Sequence, residues 1–532
     1  MASAPTTTAQ DTVSEARITQ MYPDTYADGD AGEYVGVTFG SPTDTTGWEL
    51  RDDEASERLP NTTLEGTVYF VAGEPPTTLS NSTVYPLSEL ELANSGERVE
   101  LVNATGVVDS VSYGEVSGST APAPDEGEVL TLEPTGWVLR SLGSSDFEYH
   151  VYPASSVTGF AAPDSSSSVM KEFLKSADET VDMSAYTFDS QAVADALVAA
   201  ERRGVEVRVL VEGSPPGGFE SDDARVLRGL VKKGVEVHVI DGDRERYRFH
   251  HAKYAVVDDE KALVTSENWE DETFSPEASG PRGWGVVVES DGVARYLGKV
   301  FEDDLGWSSV KDWENVSLDT HEPDSDDEGR HPTRFRSREF DDARVGVVLS
   351  PDTSRRAVVR AIRNATRSLY VQQAYIRPWD GSPGSNPYLD AVIQQARSGV
   401  EVRVLLDSRW YVEKENRRVV ERLNALAESQ NLPLEAKLSE GAVHNKGFVV
   451  DNRTVFVSSV NWNRNSVKNN REVGVLVHDD EVATYFARVF LHDWRGRSGS
   501  GGSPFDPRKY ALEILIAVVV ASIGAWLALR EL

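Results

Sequence analysis

Hydrophobic positions divide the chain into three textures. In residues 17–155 short apolar or alternating runs at 34–39, 67–71, 98–102 and 107–113 are separated by Gly, Asn and Pro. Runs of that length and spacing predict strands and turns stacked as a β-sandwich, and no helical period intervenes. From residue 160 the period alternates. Residues 182–188, 205–211 and 235–240 read as strands, and 191–203 and 222–233 as helices, which is an α/β pattern. The same texture returns after residue 345. The third texture is the apolar run 511–529, broken only by Glu513. As a helix it spans about 28 Å, the thickness of a bilayer core.

The α/β texture is duplicated. Gly204-Val-Glu-Val-Arg-Val-Leu210 recurs letter for letter as Gly399-Val-Glu-Val-Arg-Val-Leu405, and Ala185-Tyr186 has a counterpart in Ala374-Tyr375. A repeat of about 190 residues implies two copies of one α/β unit. The expected layout is a disordered start (1–16), a β-sandwich (17–155), a first α/β repeat (160–311), an acidic linker (312–344), a second repeat (345–495), a Gly/Ser tether (496–510) and a transmembrane helix (511–529). Trp48 is expected in the sandwich core. The run Arg355, Arg356, Arg360, Arg363 and Arg367 is expected on a solvated helix face.

Composition narrows the function classes. The net charge is −34, which argues against a broad basic surface for nucleic acid. There is no Cys, so a thiol nucleophile and a Cys-ligated metal are excluded. No Lys precedes Lys171. An acidic, Lys-poor chain of ordinary hydrophobicity resembles proteins adapted to high salt, where ions screen the self-repulsion. Arg508 and Lys509 before the apolar run favour a cytoplasmic location, whereas six Asn-x-Ser/Thr sequons, at Asn61, Asn81, Asn103, Asn315, Asn364 and Asn452, lean the domains toward the outer face.

Each repeat carries one polar constellation. The first is His251-Ala-Lys253, Asp258 and Thr265-Ser266-Glu267-Asn268. The second is His444-Asn-Lys446, Asp451 and Ser458-Ser459-Val460-Asn461. On a strand, His-x-Lys puts both side chains on one face. A turn at Asp258 or Asp451 then returns the chain, so that Ser266 and Asn268, or Ser459 and Asn461, lie beside the His-x-Lys. Asp258 and Asp451 are expected to form the turns. Two facing copies supply two imidazoles, two ammoniums, two hydroxyls and two amides. That set suits a phosphodiester: cations and amides hold the nonbridging oxygens, one His attacks phosphorus and the other protonates the leaving oxygen. His250 is expected to be a bystander. Tyr186 and Tyr375 fit either the cleft or the core.

These constellations resemble the paired HKD motifs of the phospholipase D superfamily, over residues 160–495. The resemblance implies two pseudo-symmetric α/β halves, a phosphohistidine intermediate, no metal and no cofactor. It implies His251 and His444 as nucleophile and general acid, with His251 the nucleophile. Lys253, Lys446, Asn268 and Asn461 are implied to hold phosphate, with Ser266 and Ser459 beside them. The family often places a carboxylate after the second strand to orient a His ring, and Glu472 in Asn470-Arg-Glu472-Val-Gly-Val475 matches it. The first copy reads Arg282-Gly-Trp-Gly-Val286 and lacks that acid, so one histidine is expected to be less well supported. Residues 17–155 resemble a lamin-tail domain, an immunoglobulin-like sandwich, through 18–23, 33–35, 46–50, 94–101 and 106–114. The expected function is a membrane-tethered phosphodiesterase or phosphatidyltransferase, with phospholipid favoured over nucleic acid as substrate. A nuclease and a non-catalytic surface adhesion protein are the alternatives. The membrane is contacted through 511–529, and no protein partner is expected.

Overall fold

The computed structural model describes residues 16–145, 147–240, 246–316, 320–321, 335–379 and 385–496. The N-terminal part contains a six-stranded and a four-stranded sheet. Val35, Val37 and Phe70 from the first share one core with Leu50, Leu101 and Val111 from the second, so the sheets form a sandwich. Trp48 lies in that core against Phe39, with ring centroids 6.1 Å apart.

Among the described residues the other strands form a two-stranded pairing of Phe219–Glu220 with Thr320–His321 and a continuous fifteen-stranded sheet. Its strands in chain order are β1 (Val151–Ala162), β2 (Thr180–Ala185), β3 (Glu206–Glu212), β4 (Glu236–Ile240), β5 (Tyr254–Val257), β6 (Lys261–Thr265), β7 (Gly283–Glu289) and β8 (Val310–Asp312). The second half supplies β9 (Arg338–Ser350), β10 (Ser368–Gln373), β11 (Glu401–Leu406), β12 (Leu434–Leu438), β13 (Lys446–Val450), β14 (Thr454–Ser458) and β15 (Glu472–His478). The antiparallel pair β1·β9 is the centre. Outward from it run β7, β6, β5, β2, β3, β4 on one side and β15, β14, β13, β10, β11, β12 on the other, with β8 an extra edge. The two orders are related by an approximate dyad through β1·β9. Helices cover both faces, so the inner strands are apolar on both sides; every residue of β5 and β13 is buried.

The central pair occupies residues expected at domain joints. β1 straddles 155–160, and β9 begins at Arg338, inside the stretch read as a linker. Their pairing makes the two repeats one sheet. Asp258 and Asp259 (φ +53° and +55°) and Asp451 and Asn452 (both +54°) form the turns after β5 and β13. The Asp258 carboxylate accepts from the amides of Asp178, Glu179 and Thr180. Asp451 does the same for Thr366, Arg367 and Ser368. Arg355, Arg356, Arg360 and Arg363 are exposed on the helix Ser354–Arg363, and Arg367 is exposed beyond it. Among the described residues no helix is long and apolar enough to cross a membrane. The run 511–529 and most of the expected tether lie outside the described residues.

Candidate active site

The sequence pattern puts His-x-Lys on a strand. In the structure β5 starts only at Tyr254 and β13 at Lys446, and each histidine lies in an extended lead-in. The lead-ins pair across the dyad. His251 N donates to Arg471 O (2.9 Å) and Arg471 N to Phe249 O (3.0 Å). On the other side His444 N donates to Arg282 O and Arg282 N to Ala442 O, both 2.9 Å. Each histidine is therefore held by the segment that opens the strand beside the central pair in the opposite half. The backbone amide of each histidine, and the carbonyl two residues before it, find partners there instead of within its own hairpin.

The same crossing supplies the carboxylates. His251 Nδ1 lies 2.8 Å from Glu472 Oε2, and His444 Nδ1 lies 3.3 Å from Glu267 Oε2. With the proton on Nδ1, each Nε2 presents its lone pair. The first half does lack an acid at the position of Glu472, but Glu267 supplies one from another place. Gly283 stands where the second half has Glu472, and a Cβ at Gly283 would come within 2.0 Å of Glu267 Oε1. Conversely, Val460 stands where the first half has Glu267. The acid has moved from the start of β7 to the loop after β6, and the glycine leaves the space it fills. The two supports remain unequal in length.

Burial sets the electrostatics. The side chains of His251 and His444 are 12% and 21% exposed, so neither ring is wholly buried. Burial pushes His251 down to about 4 against the pull of Glu472. Burial, reinforced by Lys446, Arg409 and Lys253, pushes His444 well below the imidazole range. Lys253 Nζ donates to His251 O (2.8 Å) and lies 4.9 Å from the centroid of the Tyr186 ring. Lys446 Nζ donates to His444 O (2.7 Å) and to Ser266 O of the other half (3.0 Å). Burial pushes Lys446 down to about 8 and Lys253 well below the ordinary lysine value.

Asn461, His251, Tyr186 and Tyr375 line a cleft of about 440 Å³, with Arg377 and Arg464 on its wall. Asn268 Nδ2 donates to Glu270 (2.8 Å). Ser266 Oγ accepts from Trp284 N and donates to Glu267; Ser459 Oγ accepts from Val473 N and donates to Val473 O. Both hydroxyls are buried in the pairing with β7 and β15, because the side chain one step beyond the strand end points back at its neighbour. His250 is buried against Ser184 and takes no part in the pair.

A family profile described as "Cardiolipin synthase, PLD-like domain" matches residues 170–305 and 358–494, one match in each half. The chain belongs to the phospholipase D-like family. Cardiolipin synthase A of Proteus mirabilis (strain HI4320) is 23% identical over 344 residues, 61% of this chain and 66% of that protein. The mitochondrial cardiolipin hydrolase of Homo sapiens is 27% identical over 126 residues, 24% of this chain and 48% of that protein. This chain thus spans about two-thirds or less of these curated relatives. The crystal structure of phosphatidylserine synthase from Haemophilus influenzae Rd KW20 superposes with a TM-score of 0.51 at 13% identity, over 66% of this chain and 88% of that one, a likeness of fold.

Two buried arginines, not singled out from the sequence, lock the phospholipase D-like halves together. Arg471 is bound by Asp304 of the first half (3.0 Å) and Asp352 of the second (3.1 Å). Arg282 is bound by Asp164 of the first half (3.0 Å) and Asp493 of the second (3.1 Å). Each directly precedes the residue that carries Glu472 or makes room for Glu267. The available signal was Arg282 and Arg471 at equivalent repeat positions, outside the constellation used to find the site.

Proposed function

We propose that this phospholipase D-like protein cleaves or transfers a phospholipid phosphodiester through a phosphohistidine. The supporting observation is that each of two histidines, one per half, is oriented at Nδ1 by a buried carboxylate. His251 Nε2 attacks phosphorus and the P–O bond to the leaving alcohol breaks. His444 gives that oxygen its proton. The bound diester's negative charge favours the His444 imidazolium, so this proton enters with the substrate. In the second step water or an acceptor alcohol gives its proton to His444 and attacks phosphorus, and His251 leaves. Lys253, Lys446, Asn268 and Asn461 stabilise the phosphoryl oxygens, Glu472 and Glu267 are positioning residues, and Asp258 and Asp451 are structural. Two imidazoles supply both nucleophile and proton, so no step calls for a metal. His251 is proposed as the nucleophile because its Nδ1 contact is the shorter. The run 511–529 is proposed as the membrane anchor, and the sandwich as lamin-tail-like.

The test is turnover by the full chain, in high salt with EDTA, of phosphatidylglycerol vesicles, a generic aryl phosphodiester and single-stranded DNA. The reading expects headgroup release or exchange from the lipid and little cleavage of DNA. DNA cleavage without lipid turnover would establish a nuclease instead, and turnover abolished by EDTA would end the metal-free mechanism.

A pH dependence follows from Lys446. A diester stays monoanionic across the neutral range, so only the protein's charge changes. Lys446, pushed down to about 8 by burial, is cationic below that pH and neutral above it. Affinity for an uncleavable phosphonate analogue therefore weakens as pH rises through about 8. Calorimetric Kd values that stay flat from pH 7 to 9 would contradict this.

A further inference from the structure

The approximate dyad relates the two histidine sites, but among the described residues the N-terminal sandwich bonds to one of the related places. Tyr26 O accepts from Arg248 Nη1 (2.7 Å), three residues before His251. Asp125 pairs with Arg464 (3.0 Å) and Lys468 (2.9 Å), and Glu128 pairs with Lys468 (2.7 Å). Glu126 O accepts from Asn469 Nδ2 (3.0 Å), three residues before Glu472. Ser145 N donates to Asp352, the carboxylate that also holds Arg471. These contacts grip two segments already bonded to each other, since Arg248 N donates to Asn469 O (2.9 Å). They are the segments that carry His251 and its carboxylate. The sequence explains why the grip is one-sided. Residues 463–469 carry Arg464 and Lys468, whereas the dyad-related residues 270–276 carry Glu270, Asp271 and Glu272 and no cation. An acidic loop fits the first and is repelled by the second.

We propose that the sandwich is a positioning element for the His251–Glu472 pair: Tyr26, Asp125, Glu126 and Glu128 hold the two segments in register and so fix one of the two dyad-related imidazoles. The proposal rests on the phosphodiesterase reading for its kinetic consequence. Its structural consequence stands apart from that reading, so two measurements are made on the full chain.

The first is amide hydrogen exchange of Asp125→Ala against the parent. Exchange at 246–251 and 464–472 speeds by about tenfold, while the related segments 280–283 and 440–446 are unchanged. The second is kinetic. Asp125→Ala lowers kcat about tenfold with KM within about twofold, as expected for a misplaced reacting group. The same tenfold loss appears in an Glu267→Asp background and shrinks below about twofold in a Glu472→Asp background, since the pair is already loosened there. Exchange that speeds equally on both sides of the dyad, or one loss factor in both backgrounds, overturns the proposal. One-sided exchange in a protein that turns over no phosphodiester keeps the clamp and removes the phosphodiesterase reading instead.

Discussion

Alanine in place of either His251 or His444 is expected to lower turnover of a phospholipid diester by about 10⁴-fold or more, and the double variant to lose little beyond that. One ring forms and breaks the P–N bond while the other carries the proton, so removing either stops the same cycle and the losses do not add. The carboxylates behave differently. Glu472→Gln and Glu267→Gln keep a hydrogen-bond acceptor but lose the charge that orients each ring, and cost about 10- to 100-fold. Glu472 sits at 2.8 Å and Glu267 at 3.3 Å from its imidazole, so the first substitution costs more. Steady-state kinetics on phosphatidylglycerol vesicles measures all five variants. Near-parent activity in either alanine variant would remove that histidine from the reaction.

Arg471→Met is expected to destabilise the protein by about 3–5 kcal/mol. The guanidinium is fully buried and holds Asp304 and Asp352, which are themselves buried, together with the carbonyl of Ser350. Methionine fills most of the space but leaves two carboxylates without their cation. Those charges must be neutralised or hydrated inside a packed interface, and that desolvation cost sets the magnitude. The exposed pair Arg295–Asp291, 61% and 63% accessible, is the internal control. Breaking it costs about 0.5 kcal/mol or less. Urea unfolding at constant high salt compares the two, and equal midpoint shifts would show that Arg471 carries no special burden. The same substitution also lowers activity, because Arg471 opens the strand that carries Glu472 and bonds the His251 lead-in through its backbone.

The repeat, the two α/β halves and the paired constellations were legible because the signal is local. Seven consecutive residues recur at 204 and 399, and His-x-Lys with its return strand lies within some eighteen residues. The carboxylate exchange was not legible for a physical reason. Glu267 and Gly283 compensate one another only once β6 and β7 are paired with Thr265 opposite Gly285, a register that the sequence pattern does not number. Glu472 was visible as an acid, but not that it serves the histidine of the other half, since that crossing depends on the β1·β9 pairing. Arg282 and Arg471 draw on carboxylates more than a hundred residues away, such as Asp164 and Asp304. The partners of the two serines were not legible either, because proximity to a histidine in the chain says nothing about which strand the hydroxyl meets.

In the proposed cycle His251 takes the phosphoryl group and His444 handles the proton. An aryl phosphodiester with a good leaving group tests it most directly, because such an oxygen departs without a proton donor. Mixed with His444→Ala, the substrate releases one equivalent of phenol in a burst and then stalls, since no base remains to activate water. Alkaline-quenched mass spectrometry finds the phosphoryl ester on the peptide containing His251. A burst from His251→Ala with the adduct on His444 would reverse the assignment, and a burst with no adduct on either histidine would contradict the covalent mechanism.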